Sequence, residues 1–483
     1  MENDRFGRLL AILLITGIAG IGMYWLPDEW MGFPIKKVDF LSDIRVKTEA
    51  PSPDTLIREP EKCDTLLTVD TVLEPGFDPD PDPDPDPVEA LLPDSVYRQV
   101  AEASGMDSLP VRIEDFTFGH KGLSRFFAAL NRIEIMDRPV RIAFWGDSFI
   151  EGDILVADFR ARMQAYFGGR GVGFVPVSSG VEQYRPTISQ YSKGWKGHSI
   201  LSSRKNKYAI PGLLFEPEAS EATITFKTVD AYPGLEQVSS LKFIYSRNEE
   251  AEMRLIWNDA QDTMIRVLPP SETVTQCEIN GLFTNGRLRF RNAAGLQALG
   301  IALEDNDGVV VDNYSLRGNS GIALGLLDEN SCLALREIRP YDLIVLQYGL
   351  NVATEKVHEY GWYREQFTEV IQHVQQCFPE ADILLLGVSD RSHYHDGAFR
   401  TMPSVIALSK AQRQAAEQAQ VTFWDVFRAM GGEGSMVRYV KSRWASKDYT
   451  HLSFRGGREI ATALFDALIL EKNLYDTMIE TYD

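Results

Sequence analysis

Apolar residues follow three rhythms along this chain, and each marks a different kind of structure. From Leu9 to Leu26 every position is apolar or small. As a helix rising ~1.5 Å per residue, the run spans roughly 27 Å, close to the thickness of a hydrocarbon core. Arg5 and Arg8 precede it and Asp28 and Glu29 follow it, so the positive-inside rule keeps the N-terminus cytoplasmic and exports the rest. The alternative is a cleaved signal peptide, with Gly20 and Gly22 as small cleavage-site residues. Either way the body is expected outside the cytoplasm, tethered to the inner membrane and facing the periplasm, or secreted if the signal is removed. Residues 1–27 are thus read as a transmembrane signal anchor.

The second rhythm is helical. Val96, Val100 and Ala103 share one face, as do Leu123, Phe126, Phe127, Leu130 and Ile133. Ile154, Leu155, Ala157, Phe159, Met163 and Tyr166 predict a helix over Ile150–Tyr166; further helices are expected over Trp362–Cys377 and Phe454–Leu468. Between them lie short continuous apolar runs, Val140–Trp145, Gly308–Tyr314, Tyr341–Tyr348 and Ile383–Val388, which read as buried strands. Strands alternating with helices imply a parallel sheet covered on both faces.

The third rhythm occupies Tyr208–Leu303. Ala222–Val229, Leu241–Tyr245, Glu252–Trp257, Thr263–Leu268, Val274–Ile279, Arg287–Arg291 and Ala298–Leu303 are short, often alternating segments separated by Pro, Gly, Asn and Asp turns. They predict an antiparallel β-sandwich inserted into the α/β unit. The α/β parts then cover residues 94–207 and 306–475, the insertion 208–305, and a tail 476–483. No repeat of fixed period is present, which disfavours a solenoid or propeller.

Composition and charge narrow the function. Pro and acidic residues dominate Pro51–Pro87 and culminate in Asp-Pro repeats from Asp78 to Pro87, so residues 28–93 read as an extended, semi-rigid spacer. The formal net charge of −20, from 49 Lys and Arg against 69 Asp and Glu, excludes a nucleic-acid partner, which needs a basic face. Four scattered cysteines (Cys63, Cys277, Cys332 and Cys377) support neither a zinc site nor a dense disulfide framework; one bridge stays open.

Gly146-Asp147-Ser148 directly follows the strand Val140–Trp145, and Asp448-Tyr449-Thr450-His451 lies near the far end of the chain. Together they offer a nucleophile, a base and an orienting carboxylate. Either block alone is ordinary turn chemistry. Two further loops at strand ends change the weighing: Gly349-Leu350-Asn351 after Tyr348, and Asn313 to Gly318 after the strand from Gly308. The Asn351 amide and the Gly318 N–H are candidate donors to an oxyanion. Gly168-Gly169-Arg170-Gly171-Val172-Gly173 offers competing glycines, but it lacks the ending of a phosphate loop. His393 and His395 follow a strand as a loop and read as a substrate-contacting rim rather than a metal site, and Trp195 and His198 are candidates to line a sugar groove.

On these four blocks the chain resembles the SGNH (GDSL-type) hydrolases. The layout also resembles their peptidoglycan O-acetylesterase branch, in which a carbohydrate-binding-module-like jelly roll is inserted between the first and second blocks. The resemblance implies a flavodoxin-like three-layer α/β/α domain with a parallel sheet. It implies Ser148 as nucleophile, His451 as base and Asp448 as its partner, and an oxyanion hole from Ser148, Gly318 and Asn351. Asp147 is a further substrate-contacting candidate. No metal or organic cofactor is required, and the expected partner is an acetylated glycan, peptidoglycan or another polysaccharide. Leu350 and Val352 around Asn351 depart from the pattern, which carries Thr before the Asn and an acidic residue after it. A membrane-tethered O-acetyltransferase using the same residues and a non-catalytic glycan-binding protein are the alternative functions.

Overall fold

The computed structural model describes residues 111–482, apart from 219–220 and 260–261, together with an isolated strand pair, Glu29–Trp30 with Phe33–Pro34. The apolar run Leu9–Leu26, the Asp-Pro spacer and the helix expected over Val96–Ala103 lie outside the described residues. Among the described residues, no helix is long and apolar enough to cross a membrane.

The continuous apolar runs form one sheet. Its strands are β1 (Glu114–Asp115), β2 (Val140–Gly146), β3 (Val309–Ser315), β4 (Leu343–Gln347), β5 (Asp382–Leu386) and β6 (Thr422–Trp424), in spatial order β3-β2-β4-β5-β6-β1. All neighbours are parallel except the edge pair β6 and β1, so the sheet is mixed. Every residue of β2, β4 and β5 is buried, as expected of strands covered on both faces. Phe144 and Trp145 are adjacent in β2 and therefore point to opposite faces. Phe144 packs on Phe159 at a ring distance of 5.1 Å, and Trp145 packs on Phe378 at 5.4 Å. Helices α1 (Ser124–Asn131), α2 (Val156–Phe167), α3 (Glu329–Ile338), α4 (Gly361–Cys377) and α5 (Pro403–Ala419) precede the short α6 (Ser435–Lys441) and the long α7 (Phe454–Tyr482). Phe159 belongs to α2 and Phe378 caps α4, so the sheet lies between two helical layers.

Two helix ends differ from the periodic reading. The segment expected as one helix over Ile150–Tyr166 is interrupted at Gly152 and Asp153, both in the left-handed region (φ 70° and 66°). The buried Asp153 carboxylate causes this turn to be retained: it receives Arg160, Arg185, Thr187 and Asn313. At the other end α7 continues past Leu468 to Tyr482. Glu471 and Lys472 mask the apolar stripe there, yet Leu474 and Tyr475 remain buried and Lys472 reaches Asn131 and Asp476.

The inserted region is a two-sheet sandwich with antiparallel neighbours. One sheet runs Thr275–Phe283, Val238–Arg247, Gln297–Glu304, Leu213–Pro217 and Trp195–Ser199, with Gly173–Pro176 also beside Gln297–Glu304. The other runs Asp262–Val267, Glu252–Trp257, Asn285–Arg291, Ala222–Lys227 and Ser189–Lys193. Phe243, Tyr245 and Ile301 meet Phe226, Met253, Leu255 and Phe290 in a separate apolar core. Three of these strands, Gly173–Pro176, Ser189–Lys193 and Trp195–Ser199, lie upstream of Tyr208. Ser189–Lys193 and Trp195–Ser199 are edge strands with no fully buried residue, so they carry no apolar alternation to read.

A buried charge cluster ties the sandwich to the α/β sheet. Glu304, at the end of its sandwich strand, is fully buried and receives Arg141 of β2 at 2.7 and 3.1 Å, Arg339 after α3 at 2.9 Å, and Lys242 at 2.8 Å. Arg339 also binds Asp312 of β3 at 2.7 Å. Burial alone would raise the Glu304 carboxyl; the attraction of Arg141, Arg339 and Lys242 outweighs it and holds the group well below the usual carboxylate range. Removing one member of such a cluster strands the others without compensation. Glu304→Gln is expected to lower unfolding free energy by about 3–5 kcal/mol in chemical denaturation. A loss under ~1 kcal/mol would show that the cluster does not join the two parts.

Candidate active site

Three parallel strands end together where the chemistry-bearing loops begin. Ser315 of β3 and Gln347 of β4 both stand in register with Gly146 of β2, and Leu316 N–H donates to the Gly146 carbonyl at 2.9 Å. Gly146 has to be glycine: a Cβ there would sit 2.8 Å from the Gln347 carbonyl oxygen. The Asp147-Ser148 turn therefore emerges between the Gly318 loop on one side and the Asn351 loop on the other.

Ser148 is nearly buried, at 9% exposure, and its Oγ lies 3.2 Å from His451 Nε2. His451 Nδ1 lies 2.7 Å from Asp448 Oδ2. Asp448 Oδ1 accepts the backbone N–H groups of Thr450 (2.9 Å) and His451 (3.0 Å) and the Ser446 hydroxyl. Partial burial raises the Asp448 carboxyl, but these hydrogen bonds, led by His451, hold it well below the ordinary range. The carboxylate is thus ionised and fixed at the imidazole's Nδ1. Such a chain of contacts lets the imidazole withdraw the Ser148 proton while the carboxylate steadies the imidazolium.

The Ser148 and Gly318 backbone N–H groups have no hydrogen-bond partner among the described residues, so both are available to an incoming oxygen. Gly318 is exposed, with φ 78°. The other glycine-rich stretch is excluded from this role by its place: Gly169 packs on the Val309 backbone at the opposite end of β3. Asn351 is brought to the Ser148 loop, but its Nδ2 donates to Asp147 Oδ2 and to the Asn319 carbonyl, both at 3.0 Å. It reaches a developing oxyanion only by releasing one of these acceptors. Asn319, which carries no readable motif, is almost fully buried and also accepts from Gly321 N–H at 2.9 Å.

Asp147, expected to touch substrate, is instead completely buried. It accepts from Phe149 N–H at 2.9 Å and holds Asn351. Trp195 and His198 lie on a sandwich strand: Trp195 donates to the Thr223 carbonyl and packs edge-on against Phe290, and His198 pairs with Glu216. Neither contacts Ser148 or His451. His393 and His395 stand 5.6 Å apart on a hairpin, Ser392–His395 with Ala398–Thr401, whose Ser392 N–H donates to the Tyr449 carbonyl within the Asp448–His451 turn. No three His, Cys, Asp or Glu side chains among the described residues are grouped to hold a metal ion. A cavity of about 300 Å³ adjoins this edge, between Glu151 and Arg317 of the α/β part and Pro176, Leu213 and Phe215 of the sandwich. A larger one, about 550 Å³ around Lys121, Arg125 and Asp382, lies away from Ser148, at the start of β5.

The family comparison agrees with this edge. Residues 283–458 match the GDSL-like lipase/acylhydrolase family, a span that holds Gly318, Asn351, Asp448 and His451 but not Ser148. A solved peptidoglycan O-acetylesterase superposes with a TM-score of 0.59 at 19% identity, covering 75% of this chain and 99% of that one. The chain has an SGNH hydrolase fold. Partial likenesses include an acetyl xylan esterase (TM-score 0.27, 17% identity, 33% of this chain and 81% of that one) and a family 29 carbohydrate-binding module (TM-score 0.20, 9% identity, 28% and 87%). No curated protein sequence matches. The match begins within the sandwich, at the end of the strand Thr275–Phe283, and the sandwich separates Ser148 from the later blocks.

Burial pushes the Asp147 carboxyl up to about 7, against the pull of Phe149 N–H, His451 and Asn351. An acid whose folded pKa lies above its unfolded value, near ~3.9, costs the native state stability as pH rises between the two, and the cost is complete above the folded value. At pH 8, Asp147→Asn is therefore expected to unfold with a free energy on the order of 2–4 kcal/mol above wild type, the gain shrinking as pH falls towards ~4. Denaturation curves at several pH values would show it; a pH-independent difference would contradict it.

Proposed function

We propose that this protein is an exported serine esterase that removes O-acetyl groups from a cell-wall or other polysaccharide. The observation that carries the reading is the continuous contact from Ser148 Oγ through His451 to Asp448 beside two unclaimed backbone donors. His451 Nε2 takes the Ser148 proton as Oγ bonds to the ester carbonyl carbon. The resulting oxyanion is held by the N–H groups of Ser148 and Gly318, joined by the Asn351 amide once it swings from Asn319 or Asp147. The carbonyl–alkoxy bond then breaks as His451 returns the proton to the departing sugar oxygen. Water, deprotonated by the same imidazole, releases acetate and restores Ser148.

Three observations support a glycan ester. A solved structure matched over 99% of its own length is a peptidoglycan O-acetylesterase. A β-sandwich of the kind that carries sugar-binding surfaces abuts the nucleophile edge, and the cavity beside Glu151 and Arg317 is shared between the two parts. The N-terminal apolar run and Asp-Pro spacer suit an enzyme held off an inner membrane, facing the wall.

Acetylated wall glycan, acetylated xylan, lipid esters and p-nitrophenyl acetate, each assayed with wild type and Ser148→Ala, test the proposal. Turnover of the wall glycan is expected, falling by about 10⁴-fold or more in Ser148→Ala or His451→Ala and by about 10²-fold in Asn351→Ala. Absence of Ser148-dependent turnover on every ester would leave the sandwich as a binding module only. Sugar hydroxyls outcompeting water as acceptor would make the enzyme a transferase.

A further inference from the structure

The hairpin Ser392–Thr401 joins the two loops that flank Ser148. At its root, Arg391 Nη1 donates to the carbonyls of Leu350 (3.3 Å) and Ala353 (3.1 Å), which bracket Asn351. One residue on, Ser392 N–H donates to the Tyr449 carbonyl at 3.0 Å. Near its tip, the Phe399 ring lies flat on Tyr449, with centroids 3.6 Å apart and planes 7° from parallel. Tyr449 sits between Asp448 and His451 with φ 56°, a left-handed conformation that a bulky side chain adopts only when its surroundings impose it. The hydrogen bond and the ring stack supply that imposition from one element.

The hairpin is itself fixed at the base and free of the core at the tip. Asp390 accepts from Thr401 Oγ1 (3.1 Å), Ser435 Oγ (3.0 Å) and Met436 N–H (2.7 Å), tying both hairpin ends to α6. Tyr394 and Phe399 are exposed, at 66% and 38%, so Phe399 contributes little to core packing while covering the base-bearing turn.

We propose that the hairpin is a brace for catalysis, with Phe399 the positioning residue for the Asp448–His451 turn and Arg391 the positioning residue for the Asn351 loop. Phe399 acts through Tyr449, on which its ring stacks. The role rests on the esterase reading, and its test separates the two.

Phe399→Ala is expected to lower kcat on p-nitrophenyl acetate about tenfold or more with little change in KM, because displacement of a reacting group by about an ångström costs up to ~10²-fold. Phe399→Tyr, which keeps the ring, restores kcat. In an Asp448→Asn background Phe399→Ala adds little, since both changes act on the same turn. Arg391→Met likewise loses its effect in an Asn351→Ala background. Thermal unfolding of each variant separates local from global damage, and Phe399→Leu serves if the alanine variant fails to fold. The downfield proton resonance of His451 Nδ1–H, assigned by its loss in His451→Gln, reads the turn without any substrate. It shifts or broadens in Phe399→Ala and returns in Phe399→Tyr. Wild type without ester turnover defeats the esterase reading, and the resonance then decides the brace. Unchanged kcat and an unchanged resonance in Phe399→Ala, or full additivity with Asp448→Asn, overturn the brace.

Discussion

The Glu304 carboxylate is the constraint on which the architecture turns. It belongs to the sandwich, yet two of its three cationic partners belong to the α/β part, and all of them are withdrawn from water. A lone carboxylate at that depth would be costly; here the charge is met from three directions, and Arg339 passes the attraction on to Asp312 in β3. The sandwich's last strand is locked beside β2 and β3, the two strands whose C-terminal ends carry Ser148 and Gly318.

Above that floor, the site divides its labour between rigid and exposed parts. Ser148, Asp147 and Asn319 are set by buried sheet ends, whereas His451 and Asp448 come from a turn whose side chains are 43% and 49% exposed. The turn owes its shape to its own Asx-type hydrogen bonds and to the hairpin that stacks on it. On the buried side, Asp147 pays a stability penalty beside Ser148 and in return holds Asn351.

Much of this was legible because continuous apolar runs have few alternatives. Val140–Trp145, Tyr341–Tyr348 and Ile383–Val388 are strands, and the loops after the first two carry Ser148 and Asn351. The blocks Gly-Asp-Ser and Asp-x-x-His are readable because each packs its chemistry into three or four consecutive residues. What escaped is what distance in sequence conceals. Asn319 and Arg391 act through backbone carbonyls and leave no motif. Asp147 reads as a substrate contact because nothing in sequence tells a buried aspartate from an exposed one. Trp195 read as a groove aromatic, while Phe290, 95 positions later, claims its face. The polar edge strands had no period to detect, and Gly152–Asp153 broke a helix because their partners lie on other elements.

The contact between Ser148 and His451 spans 303 positions of sequence. Between them the chain must complete the sandwich, close the Glu304 cluster and lay down β3 to β6; directly after His451 the first turn of α7 docks so closely that a side chain at Gly457 would overlap the Ile154 carbonyl, six residues past Ser148. No contiguous fragment shorter than that span holds both members. The Ser148–His451 contact is therefore a late event in the life of the polypeptide, made only after the sandwich and the strands β3 to β6 have been assembled.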